Sequence, residues 1–481
     1  MACRKNPRPT SYCVYMMIYH RISTLFSFRN PLMSRKEIID RFSRELESTY
    51  RQRTGKSEEI IRDASRYVPD GDMRISVWME PYPTVMKRGD GCRLYDVDGN
   101  EYLDYSNNWT SMVLGNNHPR VVEAITRQAA QGSAMAAPFE QVYDWAGMIC
   151  ERIPAMERVR FCTSGTEACM FAIRGARAFT GKDKILKMEG NYHGSYDIME
   201  MQVGWRKLPP GLPKSAEQDV LTTPFNDKES AEKLIRENRD ELAAVIVEGV
   251  MGAAGMIPPE ADYLKFLKKT ASENGVLLIV DEVISFRLST GGAQMIYDVD
   301  PDLTALGKTI GGGIPVGAFG GREEVMAVFS PKHKRPAHHA GTFVATPLGV
   351  AAGIVSLQEM NQESLERINS MGESMADELR KMLQNLGIKA QVKGYGSLQQ
   401  IHFTPEPVST ASTAFLTQDR DILRLFNMAM MNQGLFIGNR GFFALSTVMQ
   451  DSDCQRALEA AECALAELKP VIEEAAPQLA A

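Results

Sequence analysis

Short apolar runs that alternate with helical patterns constrain the fold of this chain more than any other feature. Each run has the length of a β-strand, and the later runs are almost uninterrupted by polar residues. Strands that are apolar on both faces and are joined by helices are typical of a mostly parallel sheet covered on both sides. The sequence therefore predicts an α/β fold, with strands at 158–161, 184–188, 243–247 and 276–280 and helices at 166–179, 229–238 and 260–274.

The segments before and after this region have a different character. Ser34 and Glu37 form a capping box at the start of a predicted helix of about five turns. Two short predicted strands, 93–96 and 101–104, are joined by an aspartate-glycine turn of the kind that favours a hairpin. Beyond residue 345 helices and strands alternate less regularly, which indicates a smaller α+β domain.

The chain of 481 residues is too long for a single small core, and we expect several segments. We divide it into an extension at 1–33, an N-terminal segment of the small domain at 34–110, a large cofactor-binding domain at 111–345 and a C-terminal small domain at 346–481. The extension contains basic residues, whereas the first acidic residue is Glu37. This bias is typical of an organelle-targeting presequence, but a start assigned too early would look the same. Met33, directly before the capping box, favours the second interpretation.

Composition excludes several classes of partner. The net charge of −6 argues against a basic surface for nucleic acid, and no run of about 18 apolar residues predicts a membrane span. The 8 cysteines are scattered without a Cys-x-x-Cys pair, which favours reduced thiols and no metal site. We therefore expect a cytoplasmic protein whose partners are small molecules.

Lys308 is the first candidate for chemistry. It lies between a short apolar run and a row of glycines, where the backbone allows a flat ligand to approach closely. A solvated surface charge is the ordinary interpretation of a single lysine. Two known phosphate motifs do not fit its surroundings, because Asp302 occupies a position where a P-loop needs glycine, and Val316 interrupts the glycine pattern of a dinucleotide site.

Two further features change the interpretation of this lysine. Asp281 ends a predicted buried strand, at the edge of an open α/β sheet where ligands bind. Ser164, Gly165 and Thr166 form a turn between strand and helix that could hold an anion or serve as an ordinary N-cap. Lysine, carboxylate and phosphate turn together suggest pyridoxal phosphate, whose aldehyde bonds to an amine and whose ring nitrogen a carboxylate keeps protonated.

As a set, the motifs of residues 65–470 resemble the class III pyridoxal phosphate-dependent aminotransferases. The resemblance rests on five stretches in the same order as in that family: Ser164-Gly-Thr-Glu167, Tyr192-His-Gly194, Val280-Asp-Glu-Val283, Leu306-Gly-Lys308 with the glycines that follow it, and Gly341-Thr-Phe343. Within the class, the segments Asp96-Val-Asp-Gly-Asn100, the Trp109 loop and the Lys308 region are most similar to glutamate-1-semialdehyde aminomutases and β-amino acid aminotransferases.

The resemblance implies fold type I with a seven-stranded sheet and a homodimer whose active sites lie at the subunit interface. It implies roles for nine residues. Lys308 bonds to the cofactor, Asp281 contacts the ring nitrogen, Tyr192 and Val283 enclose the ring, Ser164, Gly165 and Thr166 hold the phosphate, Thr342 reaches the neighbouring subunit's cofactor and Glu248 lies nearby. The sequence departs from the family after Glu248, because Gly249 stands where proline is common.

The resemblance also implies a ping-pong transfer of an amino group from a small-molecule donor to a keto acid. Arg74, Arg440 and Trp109 are the candidate substrate-binding residues, since arginine can bind a carboxylate with two hydrogen bonds. The stretch Val344-Ala-Thr-Pro347 replaces the glycine-asparagine-proline turn of the aminomutases. We therefore expect an aminotransferase for a β-amino acid, with aromatic β-amino acids among the candidate substrates and glutamate-1-semialdehyde 2,1-aminomutase as the alternative. A cofactor-binding protein without catalysis is disfavoured because Lys308 and Asp281 are both present.

Overall fold

The computed structural model describes residues 33–201 and 208–481, and its strands form three sheets. In the described part the strands are, in chain order, β1 (Met86–Asp90), β2 (Arg93–Asp96), β3 (Glu101–Asp104), β4 (Arg158–Cys162), β5 (Lys184–Met188), β6 (Val220–Thr223), β7 (Leu242–Glu248), β8 (Leu277–Asp281), β9 (Leu303–Gly307), β10 (Gly317–Gly321), β11 (Gln391–Tyr395), β12 (Leu398–His402), β13 (Leu435–Phe436) and β14 (Phe442–Ala444). The three sheets have the strand orders β4-β10-β9-β8-β7-β5-β6, β1-β2-β3-β13 and β11-β12-β14.

The seven-stranded sheet is mostly parallel, as predicted. Strands β5 to β9 pair in parallel, whereas β10 runs antiparallel to both β9 and β4. The sequence did not predict β6, β9 or β10 as strands. Strand β10 is rich in glycine for a steric reason, because a Cβ at Gly317 would lie 2.1 Å from the carbonyl oxygen of Ser164.

Helices cover both faces of this sheet. Along β7, Val245 and Val247 belong to the apolar cluster that includes the helices Lys228–Asn238 and Tyr263–Glu273. The alternate residues Ala244 and Ile246 belong to the cluster that includes the helix Gly165–Thr180. Because successive side chains of a strand point to opposite faces, a continuous apolar run serves both layers.

The other helices pack mainly around the two smaller sheets and the outer edge of the large one. In the described part they include Arg35–Arg53, Gly55–Ala64, Pro119–Ala129, Glu140–Arg152, Pro347–Glu359, Gln362–Leu386, Ala411–Leu416, Arg420–Asn432 and Asp451–Ala475. Strand β13 pairs in parallel with β3, so the N-terminal and C-terminal segments share one sheet. The proposed domain boundaries remain predictions.

Local predictions near the N-terminus had mixed outcomes. The capping box is confirmed, since the Ser34 amide donates to Glu37 Oε2 at 2.7 Å and the Ser34 hydroxyl accepts from the Glu37 amide at 3.3 Å. The interpretation of the extension falls almost entirely on residues outside the described part. The hairpin β2-β3 is confirmed, and β1 adds an unpredicted third strand.

Two helical predictions were incomplete or wrong. The helix Glu140–Arg152 was not predicted at all. The apolar pattern from Pro119 to about Gln131 predicts a helix with Val122, Ile125 and Ala129 on its buried side. In the structure the helix Pro119–Ala129 instead buries Val121, Ala124 and Gln128, and Val122 is 42% exposed. Packing against the helix Pro347–Glu359 selects this face, which hydrophobicity alone does not distinguish from its neighbour.

The described residues contain no helix with both the length and the apolar character needed to cross a bilayer. The six cysteines in the described part are free thiols, in agreement with the predicted absence of paired cysteines there.

Candidate active site

Three of the predicted site residues lie at the carboxyl ends of neighbouring parallel strands. Glu248 ends β7 and pairs with Asp281 at the end of β8, while Asp281 pairs with Ala305 of β9. Lys308 follows β9 directly. Because parallel strands end at a common edge, the sheet brings together residues that are up to 60 positions apart in the sequence.

The Asp281 carboxylate is buried and receives three hydrogen bonds. Oδ2 lies 2.8 Å from His193 Nδ1 and 3.1 Å from Cys169 Sγ, and Oδ1 accepts from the Val283 amide at 2.9 Å. Burial lowers the pKa of His193, and the Asp281 carboxylate opposes that effect. These contacts fix the orientation of the carboxylate at the strand end.

Lys308 has a left-handed backbone conformation, with φ of 49°, and its ammonium nitrogen forms no hydrogen bond or ion pair with the described residues. Burial lowers the pKa of Lys308 to about 8. The carboxylates of Glu248 and Asp281 oppose this shift, whereas the cations of Arg440 and Arg287 add to it. A neutral amine, which is the nucleophilic form, is therefore accessible in mildly alkaline solution.

Glu248 is fully enclosed at the end of its strand. Burial is the main cause that raises the pKa of Glu248 to about 8, and the Asp281 carboxylate is the second. Glu248 Oε2 accepts from the Tyr192 amide at 3.1 Å, and Oε1 accepts from the Gly252 amide at 3.3 Å. Glu248 thus anchors the loop that carries Tyr192.

The predicted phosphate turn lies at the start of the helix Gly165–Thr180. Ser164 caps this helix, and its hydroxyl accepts from the Glu167 amide at 3.2 Å. The amides of Gly165 and Thr166, at the first two helical positions, have no partner within the helix and meet the positive end of its dipole. The predicted turn therefore has both of the properties that anion binding requires.

Val283 lies against this turn. A Cβ at Gly165 would be 2.9 Å from both methyl groups of Val283, so glycine is what allows the turn and the valine to approach. A Cβ at Gly307 would lie 3.2 Å from the Cα of Gly165, which brings the residue before Lys308 to the same place. Tyr192 is 40% exposed, and its hydroxyl lies 3.2 Å from Ser195 Oγ.

These groups fit pyridoxal phosphate. The Lys308 amine forms no hydrogen bond or ion pair with the described residues. A Cβ at Gly165 would occupy the space beside Val283, so this space exists only because residue 165 is glycine. The amides of Gly165 and Thr166 form no hydrogen bonds within the helix and are available to a phosphate. A buried carboxylate at Asp281 completes the set of amine, anion site and ring-nitrogen partner that this cofactor needs.

The two predicted substrate-binding arginines differ in burial, since Arg440 is partly buried beside Trp109 and Arg74 is exposed. The Arg440 guanidinium lies 4.9 Å from the centre of the Trp109 ring and donates to the Ala253 carbonyl at 2.7 Å. Burial lowers the pKa of Arg440, while Glu248 opposes the shift. Arg74 is exposed and donates to Asn108 Oδ1 at 3.0 Å, beside the Trp109 turn.

Thr342 does not belong to the cluster around Lys308 within one chain. It is exposed in a turn, and the adjacent Phe343 is 60% exposed. Its predicted contact with the neighbouring subunit's cofactor stays a prediction.

Three buried residues at the site had no role in the sequence interpretation. His193 and Cys169 contact Asp281, and Arg287 donates to the Thr110 carbonyl at 3.2 Å and to the Leu445 carbonyl. Burial lowers the pKa of Arg287 to about 9. His193 lies inside a recognised motif, but Cys169 carried no signal beyond its position one turn into the helix.

Comparison with known proteins gives a consistent result. The family model "Aminotransferase class-III" matches residues 75–465. The chain is 38% identical over 420 residues to the glutamate-1-semialdehyde 2,1-aminomutase of Methanosphaera stadtmanae, covering 86% of this chain and 99% of that protein. It is also 38% identical over 418 residues to glutamate-1-semialdehyde 2,1-aminomutase 2 of Brevibacillus brevis, covering 84% and 97%.

Solved structures include transaminases with similar folds. An ω-transaminase from Sphaerobacter thermophilus is 38% identical with a TM-score of 0.83, covering 85% of this chain and 97% of that one. A β-phenylalanine aminotransferase from Variovorax paradoxus is 32% identical with a TM-score of 0.85, covering 89% and 98%.

Proposed function

This chain belongs to the class III aminotransferase family of pyridoxal phosphate-dependent enzymes, and we propose that it is a glutamate-1-semialdehyde 2,1-aminomutase. The observation that carries the proposal is the 38% identity to aminomutases along nearly their whole length. These relatives support the aminomutase better than the β-amino acid aminotransferase that the sequence favoured. The order of the two hypotheses is therefore reversed.

Lys308 is the residue that bonds to the cofactor and moves the proton. When bound, pyridoxal phosphate supplies an electron sink next to the carbon that carries the substrate amine. The Lys308 amine has no competing partner among the described residues, and a pKa of about 8 makes its neutral form accessible. It can therefore accept a proton from one carbon and return it to another, as a general base and acid.

The remaining residues bind and orient. With pyridoxal phosphate bound, Asp281 would contact the ring nitrogen, Tyr192 and Val283 would enclose the ring, and Ser164, Gly165 and Thr166 would hold the phosphate. Glu248 supports the Tyr192 loop through the Tyr192 amide, which lies 3.1 Å from its carboxyl group.

The working unit is a homodimer in which Thr342 of one chain reaches the cofactor of the other. The exposure of Thr342 and of Phe343 supports this part of the proposal, since exposed side chains are available to a second subunit.

Arg440 binds the substrate carboxylate, with Trp109 as the surface on which its guanidinium rests. The guanidinium lies 4.9 Å from the Trp109 ring centre and donates one hydrogen bond to the Ala253 carbonyl. Both contacts restrict its motion, and its other N–H groups are the donors for a carboxylate. Its charge also acts on Lys308, whose pKa it lowers. Arg74, which contacts the Trp109 turn through Asn108, is the second candidate for the same function.

Transfer from a β-amino acid to a keto acid is the second candidate function. The stretch Val344-Ala-Thr-Pro347 lacks the glycine-asparagine pair associated with retaining an intermediate during internal exchange. Similarity to the Variovorax paradoxus β-phenylalanine aminotransferase favours the same hypothesis.

One experiment distinguishes the two functions. Purified protein loaded with pyridoxal phosphate is given glutamate-1-semialdehyde alone, and in a second arm β-phenylalanine with 2-oxoglutarate or pyruvate. Formation of 5-aminolevulinate without an acceptor supports the aminomutase. Keto product in the second arm without 5-aminolevulinate in the first overturns it in favour of the aminotransferase.

Lys308→Ala serves as the control in both arms. It should bind the cofactor without a covalent bond and lose turnover. Undiminished turnover in this variant would remove Lys308 from the proposed mechanism.

A further inference from the structure

We propose that Cys169 is a positioning residue that aims the Asp281 carboxylate at the ring nitrogen of the cofactor. The inference rests on the proposed function, because it assumes that Asp281 faces that nitrogen. It concerns a residue to which the sequence motifs assign no role.

The contact between the two side chains is direct and buried. Cys169 is 1% exposed, and its Sγ lies 3.1 Å from Asp281 Oδ2. Burial, followed by the negative charge of Asp281, raises the pKa of the Cys169 thiol well above its usual value. The sulfur is therefore protonated, and the S–H group donates to the carboxylate instead of repelling it.

The donors around Asp281 leave one direction open. A carboxylate offers about four lone-pair positions, two on each oxygen. Cys169 and His193 occupy Oδ2, and the Val283 amide occupies one position on Oδ1. Among the contacts made by the described residues, the second position on Oδ1 remains available for a ring N–H.

Cys169 also connects the two ends of the cofactor site. It lies four residues after Gly165 in the helix Gly165–Thr180, and residues at this spacing share one face of a helix. The first turn of this helix therefore presents free amides at Gly165 and Thr166 and a hydrogen-bond donor to Asp281 at Cys169. The rise of one helical turn sets the distance between the phosphate turn and the Asp281 carboxylate.

A metal ion is the main alternative explanation for this cluster. The candidate ligand atoms of Cys169, His193 and Asp281 lie within 4.8 Å of one another. Hydrogen bonds from a thiol and an imidazole to one carboxylate oxygen explain this spacing without an ion. Stoichiometric zinc in the purified apoprotein would overturn the proposal, because the thiol would then be a ligand and not a donor.

The test measures cofactor affinity in apoprotein variants. Cys169→Ala removes the donor and should raise the dissociation constant for pyridoxal phosphate about threefold to tenfold, the usual range for losing one modest hydrogen bond. Cys169→Ser keeps a donor and should stay within about twofold of the native protein. Cys454→Ser, a substitution of a buried cysteine remote from the site, is the control and should bind normally.

A spectroscopic measurement distinguishes orientation from simple packing. The visible absorbance band of the bound cofactor should change in Cys169→Ala and be restored in Cys169→Ser, because the band depends on the ring nitrogen. If Cys169→Ala does not fold, Cys169→Val removes the donor while retaining volume.

Equal affinity and equal spectra in the native and donor-free variants would overturn the role of Cys169. Equal impairment of the serine and donor-free variants would also overturn it, since packing alone would then explain the loss. Failure of the native protein to bind pyridoxal phosphate would instead defeat the proposed function, so the two failures are distinguishable.

Discussion

Glu248 pairs with Asp281 at the ends of two neighbouring parallel strands, and the carboxyl groups of both residues are buried. Two adjacent buried carboxylates cannot both be ionised without a large free-energy cost. Burial and the charge of Asp281 raise the pKa of Glu248 to about 8, so Glu248 is mainly neutral at pH 7. Protonation of Glu248 therefore lowers the negative charge near Lys308.

Glu248→Gln should become more stable than the native apoprotein as the pH rises. The folded-state pKa of Glu248, about 8, lies above the ordinary value of 4.5, so the folded chain binds the extra proton between these limits. The contribution of Glu248 to stability therefore falls as the pH rises from about 5 to 8, whereas glutamine does not titrate. The free energy of unfolding of Glu248→Gln relative to the native apoprotein should increase by at least about 1 kcal/mol between pH 5 and pH 9.

Denaturant unfolding of the two apoproteins at pH 5 and pH 9 measures this difference. Glu273→Gln, at an exposed glutamate, is the matched control. A difference between Glu248→Gln and the native protein that stays constant over this pH range would contradict the prediction.

Lys308 in the apoprotein should react with aldehydes in its neutral form, with a midpoint near pH 8. Burial lowers the pKa of this lysine to about 8, and Arg440 contributes to the shift. The rate of labelling by pyridoxal phosphate and borohydride should therefore rise through pH 8. In Arg440→Leu the midpoint should move to higher pH, because a cation near the amine is removed.

Peptide mapping of the labelled protein provides the check on identity. Lys308→Ala should lose the label at this position. A midpoint close to the ordinary lysine pKa of 10.5, or a principal label on another residue, would be incompatible with the lowered pKa of this partly buried amine.

Arg440→Ala should raise KM for carboxylate substrates about tenfold to a hundredfold, the range for losing a charge-assisted hydrogen bond. Primary amines without a carboxylate should be affected much less. Arg440→Lys should be intermediate, because it keeps the charge but loses the planar guanidinium that lies 4.9 Å from the Trp109 ring centre. Steady-state kinetics with both substrate types measures the effect.

Arg74→Ala is the control variant for the loss of Arg440. Arg74 is exposed and contacts Asn108, so its removal leaves the Arg440 stacking intact. If Arg440→Ala impaired carboxylate and simple amine substrates equally, recognition of the carboxylate by Arg440 would be excluded.

Gly165→Ala should weaken cofactor binding about tenfold or more, because a Cβ would lie 2.9 Å from both methyl groups of Val283. Val283→Ala in the same chain removes those methyl groups and should restore much of the affinity. Titration of the two single variants and the double variant with pyridoxal phosphate gives the coupling between the positions. Additive changes in the free energy of cofactor binding would show that a clash with Val283 does not cause the loss in Gly165→Ala.

The strand ends that carry Asp281 and Glu248 could be predicted because buried strands appear in the sequence as continuous apolar runs. Strand β10 could not be predicted in the same way, since its glycines reflect close contacts with the backbone carbonyls of Ser164, Arg158 and Asp302 and not a preference for strands. The contacts of Asp281 with Cys169 and His193 were equally inaccessible, because they join residues 112 and 88 positions apart.

The sequence by itself determined the α/β class, the alternation of helices with the strands β4, β5, β7 and β8, and the residues that end these strands. Apolar periodicity and residue type are local properties, so a linear reading retains them. Only the tertiary structure decided which groups meet, since the strand order β4-β10-β9-β8-β7-β5-β6 is not the chain order. Burial in that arrangement also sets the pKa values of Lys308 and Glu248, because desolvation depends on every surrounding segment at once.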